Sequence, residues 1–226
     1  MVITELAVLK FLHIIAMVYW LGGEWGIFNT SRHVIDRNLS MEERRRHMNT
    51  AYLIDIPART GIILLFPVGF HMGHIWGLHD FGGSYLVAMW VLVLAWLGLC
   101  WAAFIKRETD TGIRLTKMDE AVRYVLIPLF IITAITSLMG YGPYEAGPMQ
   151  KWFAIKVGLF GGLLIIGLVL RFIMREWTML FRVLAEGPNV EAENKLEKSL
   201  RLGRGLAYVY WVGIAAVAFF GATKFM

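Results

Sequence analysis

One cysteine in 226 residues, Cys100, sits inside the apolar run LVAMWVLVLAWLGLCWAAF. An internal disulfide, a C-x-x-C-H motif for covalent heme and a cysteine-built metal site are therefore all excluded. Charge is equally scarce: 17% of residues are Asp, Glu, Lys or Arg, against 58% hydrophobic and 14% aromatic. A mean hydropathy of +0.58 excludes a disordered chain and argues against a soluble domain of this length. Also missing are a repeat period, a low-complexity tract, a phosphate-binding glycine loop and a nucleophile motif.

What is present is apolar length. A bilayer core of about 30 Å needs roughly 20 apolar residues per helix, and six segments meet that: 6–28, 51–76, 85–105, 122–141, 152–174 and 206–222. The expected fold is an all-α polytopic membrane bundle of six transmembrane helices, one domain over 1–226. The first segment lacks a basic n-region and a small-residue cleavage site, so it reads as a retained span. The net charge of +5 is read loop by loop and does not point to nucleic acid. The first connection carries Arg32, Arg37 and Arg44 to Arg46; the third Lys106, Arg107, Arg114, Lys117 and Arg123; the fifth Arg175, Arg182, Lys195, Lys198, Arg201 and Arg204. The second has no Lys or Arg, and the fourth only Lys151. The positive-inside bias then predicts a multi-pass protein of a bacterial inner membrane with both termini outside.

Ser40-Met-Glu-Glu43 and Thr116-Lys-Met-Asp119 resemble capping boxes, predicting helices that begin before the second and fourth spans. Gly187-Pro188-Asn189 predicts a sharp turn that makes helices five and six a long hairpin.

Ionisable residues inside spans are costly, so their depth is informative. His13 lies about 10 Å below the outer end of the first helix at 1.5 Å per residue. His71 and His74 fall near the outer end of the second, on one face, after Pro67, and Lys156 falls in the outer part of the fifth. The His13 face continues through Ala16, Met17, Trp20, Gly23 and Glu24 at helical spacing. On helix two, Asp55 and Arg59 are four apart, at the inner end where Glu24 also lies. The plain alternatives are an interfacial role for His71, His74 and His79, a snorkelling Lys156, and a charge-neutralising network for Glu24, Asp55 and Arg59. The sharper reading of that trio is a proton or substrate site. His33 and His47 fall in the basic first connection, His47 within reach of a second cofactor.

Imidazole is an axial ligand for heme iron, and a helix bundle can hold heme b with no cysteine, given histidines, a glycine-lined apolar slot and cations for the propionates. His13, His74 or His71 and Gly22 or Gly23 could supply these. The 12 methionines raise copper as an alternative, but they are scattered and read mostly as core.

The stretch Lys10-Phe-Leu-His13-Ile-Ile-Ala-Met-Val-Tyr-Trp20-Leu-Gly-Gly23 resembles the first helix of the heme-containing bacterial protoporphyrinogen oxidases, a membrane family related to the copper-resistance D type permeases. Met41-Glu-Glu-Arg-Arg-Arg-His-Met-Asn49 and Ala154-Ile-Lys156-Val-Gly-Leu159 are weaker similarities. The resemblance implies roles for His13 and Lys156 in heme binding and activity. Family members are shorter, with four expected helices, so it implies a broader assignment: a membrane-embedded heme b oxidoreductase or electron-transfer subunit acting on a porphyrinogen-like or quinone substrate. In this reading His13 and His74 are axial ligands with His71 as substitute, and Trp20 and Gly23 line the cofactor. Lys156 holds a propionate or anionic substrate, and Glu24, Asp55 and Arg59 relay protons. A copper permease using His13, His71 and His74 with Met72, or a noncatalytic anchor subunit, are the alternatives. The partners expected are the lipid bilayer, a quinone or redox partner protein, and further copies of the same chain.

Overall fold

Each helix start that the structure describes with a side-chain cap has a short polar residue at the boundary. Thr4, Ser40, Thr109 and Asn189 accept hydrogen bonds from backbone amides three residues on, satisfying donors that a helix N-terminus leaves orphaned. The computed structural model describes residues 3–107, 109–144 and 151–224. Among them are six helices and no strand: α1 (Glu5–Val34), α2 (Met41–Ile75), α3 (Ser84–Ile105), α4 (Asp110–Leu138), α5 (Lys151–Ala185) and α6 (Val190–Thr223). All six are long and apolar enough to cross a membrane, and the chain is a multi-pass, all-α membrane protein.

The Ser40–Glu43 capping box forms as expected, with Ser40 N–H donating to Glu43 (3.0 Å) and Glu43 N–H to Ser40 Oγ (3.3 Å). The Ser40 hydroxyl and amide hold the Glu43 carboxyl below the usual carboxylate range. The expected box at Thr116 does not form. Helix α4 already begins at Asp110, capped by Thr109, so Thr116 lies inside it, and Asp119 serves as an ion-pair partner in the bundle interior rather than as a capping acid. Helix α2 runs unbroken through Pro57 and Pro67. The expected turn between α5 and α6 is present, with Gly187 at a φ of 148° that L side chains rarely adopt. Residues 145–150 of the fourth connection lie outside the described residues.

Each helix packs on its sequence neighbours, α6 closes the ring on α1, and α2 meets α5 across the middle. Lys10 near the start of α1 and Lys224 after α6 both lie over the Trp76 ring, at 5.7 and 3.8 Å from its centroid. This terminal end therefore gathers the beginning of α1 and the ends of α2 and α6. The opposite, basic end is held by Arg44, buried beside α1 and α6. Its Nε donates to the Val34 carbonyl (2.8 Å), and its two Nη donate to the Glu193 carboxylate (2.6 and 2.7 Å). That bidentate bond holds Glu193 below the usual carboxylate range.

Helices α1 and α2 pack closely where glycines meet the facing chain. A Cβ at Gly61 would collide with the Ala16 carbonyl, and one at Gly23 with the Ala58 side chain. Small residues permit this where the surrounding lipid is as apolar as the side chains, so packing rather than hydrophobicity joins the helices. Gly61→Ala is therefore expected to cost about 1–3 kcal/mol by overpacking. Gly22→Ala, where a Cβ meets nothing within 4 Å, should be neutral. Thermal unfolding of the two variants in detergent checks this, and equal midpoints would refute it.

Candidate functional site

Two polar regions lie along the bundle axis. Towards the terminal end, α1, α2, α5 and α6 enclose a cavity of about 440 Å³, within the range of small-molecule and cofactor sites. Helix α1 contributes His13, Met17 and Trp20; α2 contributes Gly69, Phe70, Met72 and Trp76; α5 contributes Phe153, Lys156 and Phe160; α6 contributes Ile214, Val217 and Gly221. His13 and Lys156 are thus brought to one volume, and Trp20 is in its wall.

Glycine makes room for both polar groups. Gly69 faces the His13 ring, where a Cβ would come within 3.0 Å of Cε1, and Gly221 leaves space for the Lys156 ammonium. The buried Nδ1 of His13 has no hydrogen-bond partner, an unfavourable state for an imidazole nitrogen surrounded by apolar side chains. Lys10, Lys156 and Lys224 line the cavity, with no carboxylate among its described lining residues. Lys224, just beyond α6, is held below the ordinary lysine range by burial and by the like charge of Lys10.

His71 and His74 do not line this cavity. At about 100° per residue, the α2 stripe of Leu65, Gly69, Met72 and Trp76 faces the cavity, and residues 71 and 74 point to other sides. Helix α2 continues without a break through Pro67. His71 lies 3.2 Å from Glu5 and packs edge-on to Trp90 of α3. His74 Nδ1 donates to the His79 carbonyl (3.3 Å). His79 in turn donates from Nε2 to the Phe70 carbonyl (2.9 Å) and accepts at Nδ1 from Phe81 N–H (3.3 Å). These bonds fix its neutral tautomer, and burial holds it below the ordinary imidazole range. Gly23 is a helix-packing residue against Ala58 and does not line the cavity. Among the described residues, no group of three or more His, Cys, Asp or Glu is placed to hold a metal ion.

Nearer the basic end is a smaller cavity of about 80 Å³. Glu24, Asp55 and Arg59 line it together, as their shared level predicts, with Asp55 and Arg59 ion-paired to each other. The Glu24 carboxylate has no ion-pair partner among the described residues. Trp20 lines only the large cavity and Tyr210 only the small one. Trp20 Nε1 donates to Tyr210 Oη (3.1 Å), and both side chains are 1% exposed. This pair is the partition between the two cavities.

Sequence reasoning missed the group that borders the small cavity. Asp119 is fully buried, accepting from Trp96 Nε1 at 2.7 Å, with Arg171 Nε at 3.0 Å and Arg123 Nε at 3.6 Å. Arg123 belongs to this interior network and not to a solvated connection. The i, i+4 spacing of Asp119 and Arg123, and the lone Arg171 inside an apolar span, were the available signals. Of the lysines at the large cavity, Lys156 is legible by its depth, whereas Lys10 and Lys224 meet only through the tertiary fold.

Removing one partner of a buried ionic group strands the others in low dielectric. Asp119→Asn should therefore destabilise the protein by about 3–5 kcal/mol, read as a lower unfolding midpoint and loss of the monodisperse peak in detergent. A midpoint unchanged from wild type would show that the network is dispensable. No protein-family model matches the chain, and neither a curated protein nor a solved structure is detectably similar to it.

Proposed function

We propose that the protein is a membrane-embedded oxidoreductase or electron-transfer subunit that holds heme b in the large cavity. The observation that carries this reading is the combination of His13, whose buried Nδ1 has no partner, with an apolar cavity of about 440 Å³ rimmed by three lysines and no carboxylate among its described lining residues. A planar macrocycle with an iron centre and two propionates asks for an imidazole, an aromatic and aliphatic slot, and cations at one edge. A bound heme would supply one-electron chemistry at its iron.

In this reading His13 would ligate the heme iron, and Lys10, Lys156 and Lys224 would hold the propionates. Trp20 and Phe160 are aromatic walls. Met17 and Met72 are the thioethers in the lining, which contains no second imidazole among the described residues. Glu24, beside Asp55 and Arg59, holds an exchangeable proton on the far side of the Trp20–Tyr210 partition. The electron donor or acceptor is a membrane-borne molecule, a quinone or the porphyrinogen-like substrate that the first-helix resemblance implies. The copper permease reading is less well supported, because His71 and His74 are engaged by Glu5 and the His79 carbonyl. By the positive-inside bias we assign the basic end to the cytoplasm of a bacterial inner membrane and both termini to the outside.

The detergent-purified protein, expressed with adequate heme supply, should show a Soret band and sharp reduced α and β bands. His13→Ala should lower heme content at least about tenfold, and His74→Ala should leave it near wild type. Heme retained by His13→Ala would remove the ligand assignment, and no Soret band in wild type would remove the heme reading. For orientation, a C-terminal alkaline phosphatase fusion should be active and the matching green fluorescent protein fusion dark. The reverse pattern would invert the assignment.

A further inference from the structure

A third cavity, of about 320 Å³, opens at the basic end between α2, the α3–α4 connection, α4 and α5. We infer that it binds a phosphate-bearing anion. This rests on none of the heme reading. Arg59, Arg107, Lys117, Arg171, Arg175 and Arg182 line it, together with two threonine hydroxyls, and no carboxylate is among its described lining residues.

The counter-charges lie behind the wall rather than in the cavity. Arg59 pairs with Asp55, Arg171 with Asp119 (3.0 Å) and Arg175 with Glu120 (2.7 and 2.5 Å). Arg107 and Lys117 have no carboxylate partner among the described residues. Guanidinium donors without a hydrogen-bond acceptor include Nη1 of Arg171, whose residue is only 6% exposed and whose charge is paired with Asp119, and the buried Nε of Arg107. Buried guanidinium donors are costly when unmet, and the cations that line the cavity would offer an anion charge-assisted hydrogen bonds.

The arrangement selects phosphate over a single carboxylate. One carboxylate matches one guanidinium fork, whereas these cations converge from four segments and ask for oxygens pointing several ways. The depth is also suited to it, because α3 ends at Ile105 and the lining adds Phe104, Met174 and Met179. Basic pockets between membrane helices at this level accept phospholipid headgroups. A soluble phosphate compound would present the same chemistry.

Native mass spectrometry of the full chain, titrated with phosphatidylglycerol and with phosphatidylcholine, tests the site, and thermal shift with inorganic pyrophosphate tests the soluble source. Arg107→Gln with Lys117→Gln should weaken binding of whichever phosphate probe binds by about fivefold per cation. Arg114→Gln, on the exposed side of α4, should change nothing and reports on nonspecific charge. Preference for phosphatidylglycerol that pyrophosphate does not compete away identifies a lipid headgroup. A pyrophosphate-induced shift lost in the double variant identifies a soluble phosphate. The proposal is overturned if neither probe distinguishes wild type from the double variant, or if Arg114→Gln weakens binding equally. Because both cations lie at the bundle's end, unchanged helicity of the double variant separates lost binding from lost folding.

Discussion

The constraint on which this bundle depends is that a carboxylate deep among membrane helices cannot stand alone. Asp119 satisfies it with three partners from three helices: Trp96 on α3, Arg123 on α4 and Arg171 on α5. Each partner belongs to a helix whose apolar surface gives it little preference for one rotation about its axis. The ionic group supplies that preference for α3 and α5 against α4, because Trp96 and Arg171 must both turn to a carboxylate that already has Arg123 beside it on its own helix. Arg171 then lines both the small axial cavity and the basic cleft, so the group that fixes helix register also fixes the charge of two cavities.

Polar side chains are segregated along the axis by the same logic. At the terminal end the large cavity combines apolar walls with lysines, and no acidic residue is among its described lining residues. Beyond Trp20 and Tyr210 the balance changes to acids and arginines, with Asp55 paired to Arg59. The hydrogen bond between those two side chains satisfies the indole donor and the phenol oxygen inside the bundle. It thereby permits two chemically different volumes to sit one above the other with this pair between them.

Helix number and position are legible in the chain because a span leaves a continuous apolar run, and no other feature of a sequence imitates that for about 20 residues. The Ser40–Glu43 box is legible because its partners are three residues apart. The Thr116–Asp119 pattern has the same spacing but a different outcome: α4 has already started at Asp110, and two arginines take the Asp119 carboxylate. His13, Glu24, Asp55 and Arg59 can be assigned to levels from a rise of about 1.5 Å per residue. Rotation is the quantity that local reading lacks. Local reading places His74 near the level of His13, but Gly69, five residues earlier, faces the His13 ring, and the stripe of α2 that reaches the cavity carries Gly69 and Met72.

Local hydropathy and a fixed rise per residue are enough to specify the medium, the six helices, their alternating direction and the level of each ionisable group. Which groups at one level meet is a property of the assembled bundle. Assembly joins Lys10 and Lys224 at one cavity rim, separates His13 from His74, and converges arginines of α2 and α5 with the Arg107 of the α3–α4 connection on one cleft. The physical reason is that helix rotation in lipid is set by close contacts such as Gly61 on Ala16 and by buried ionic groups such as Asp119, both formed between residues far apart in the chain.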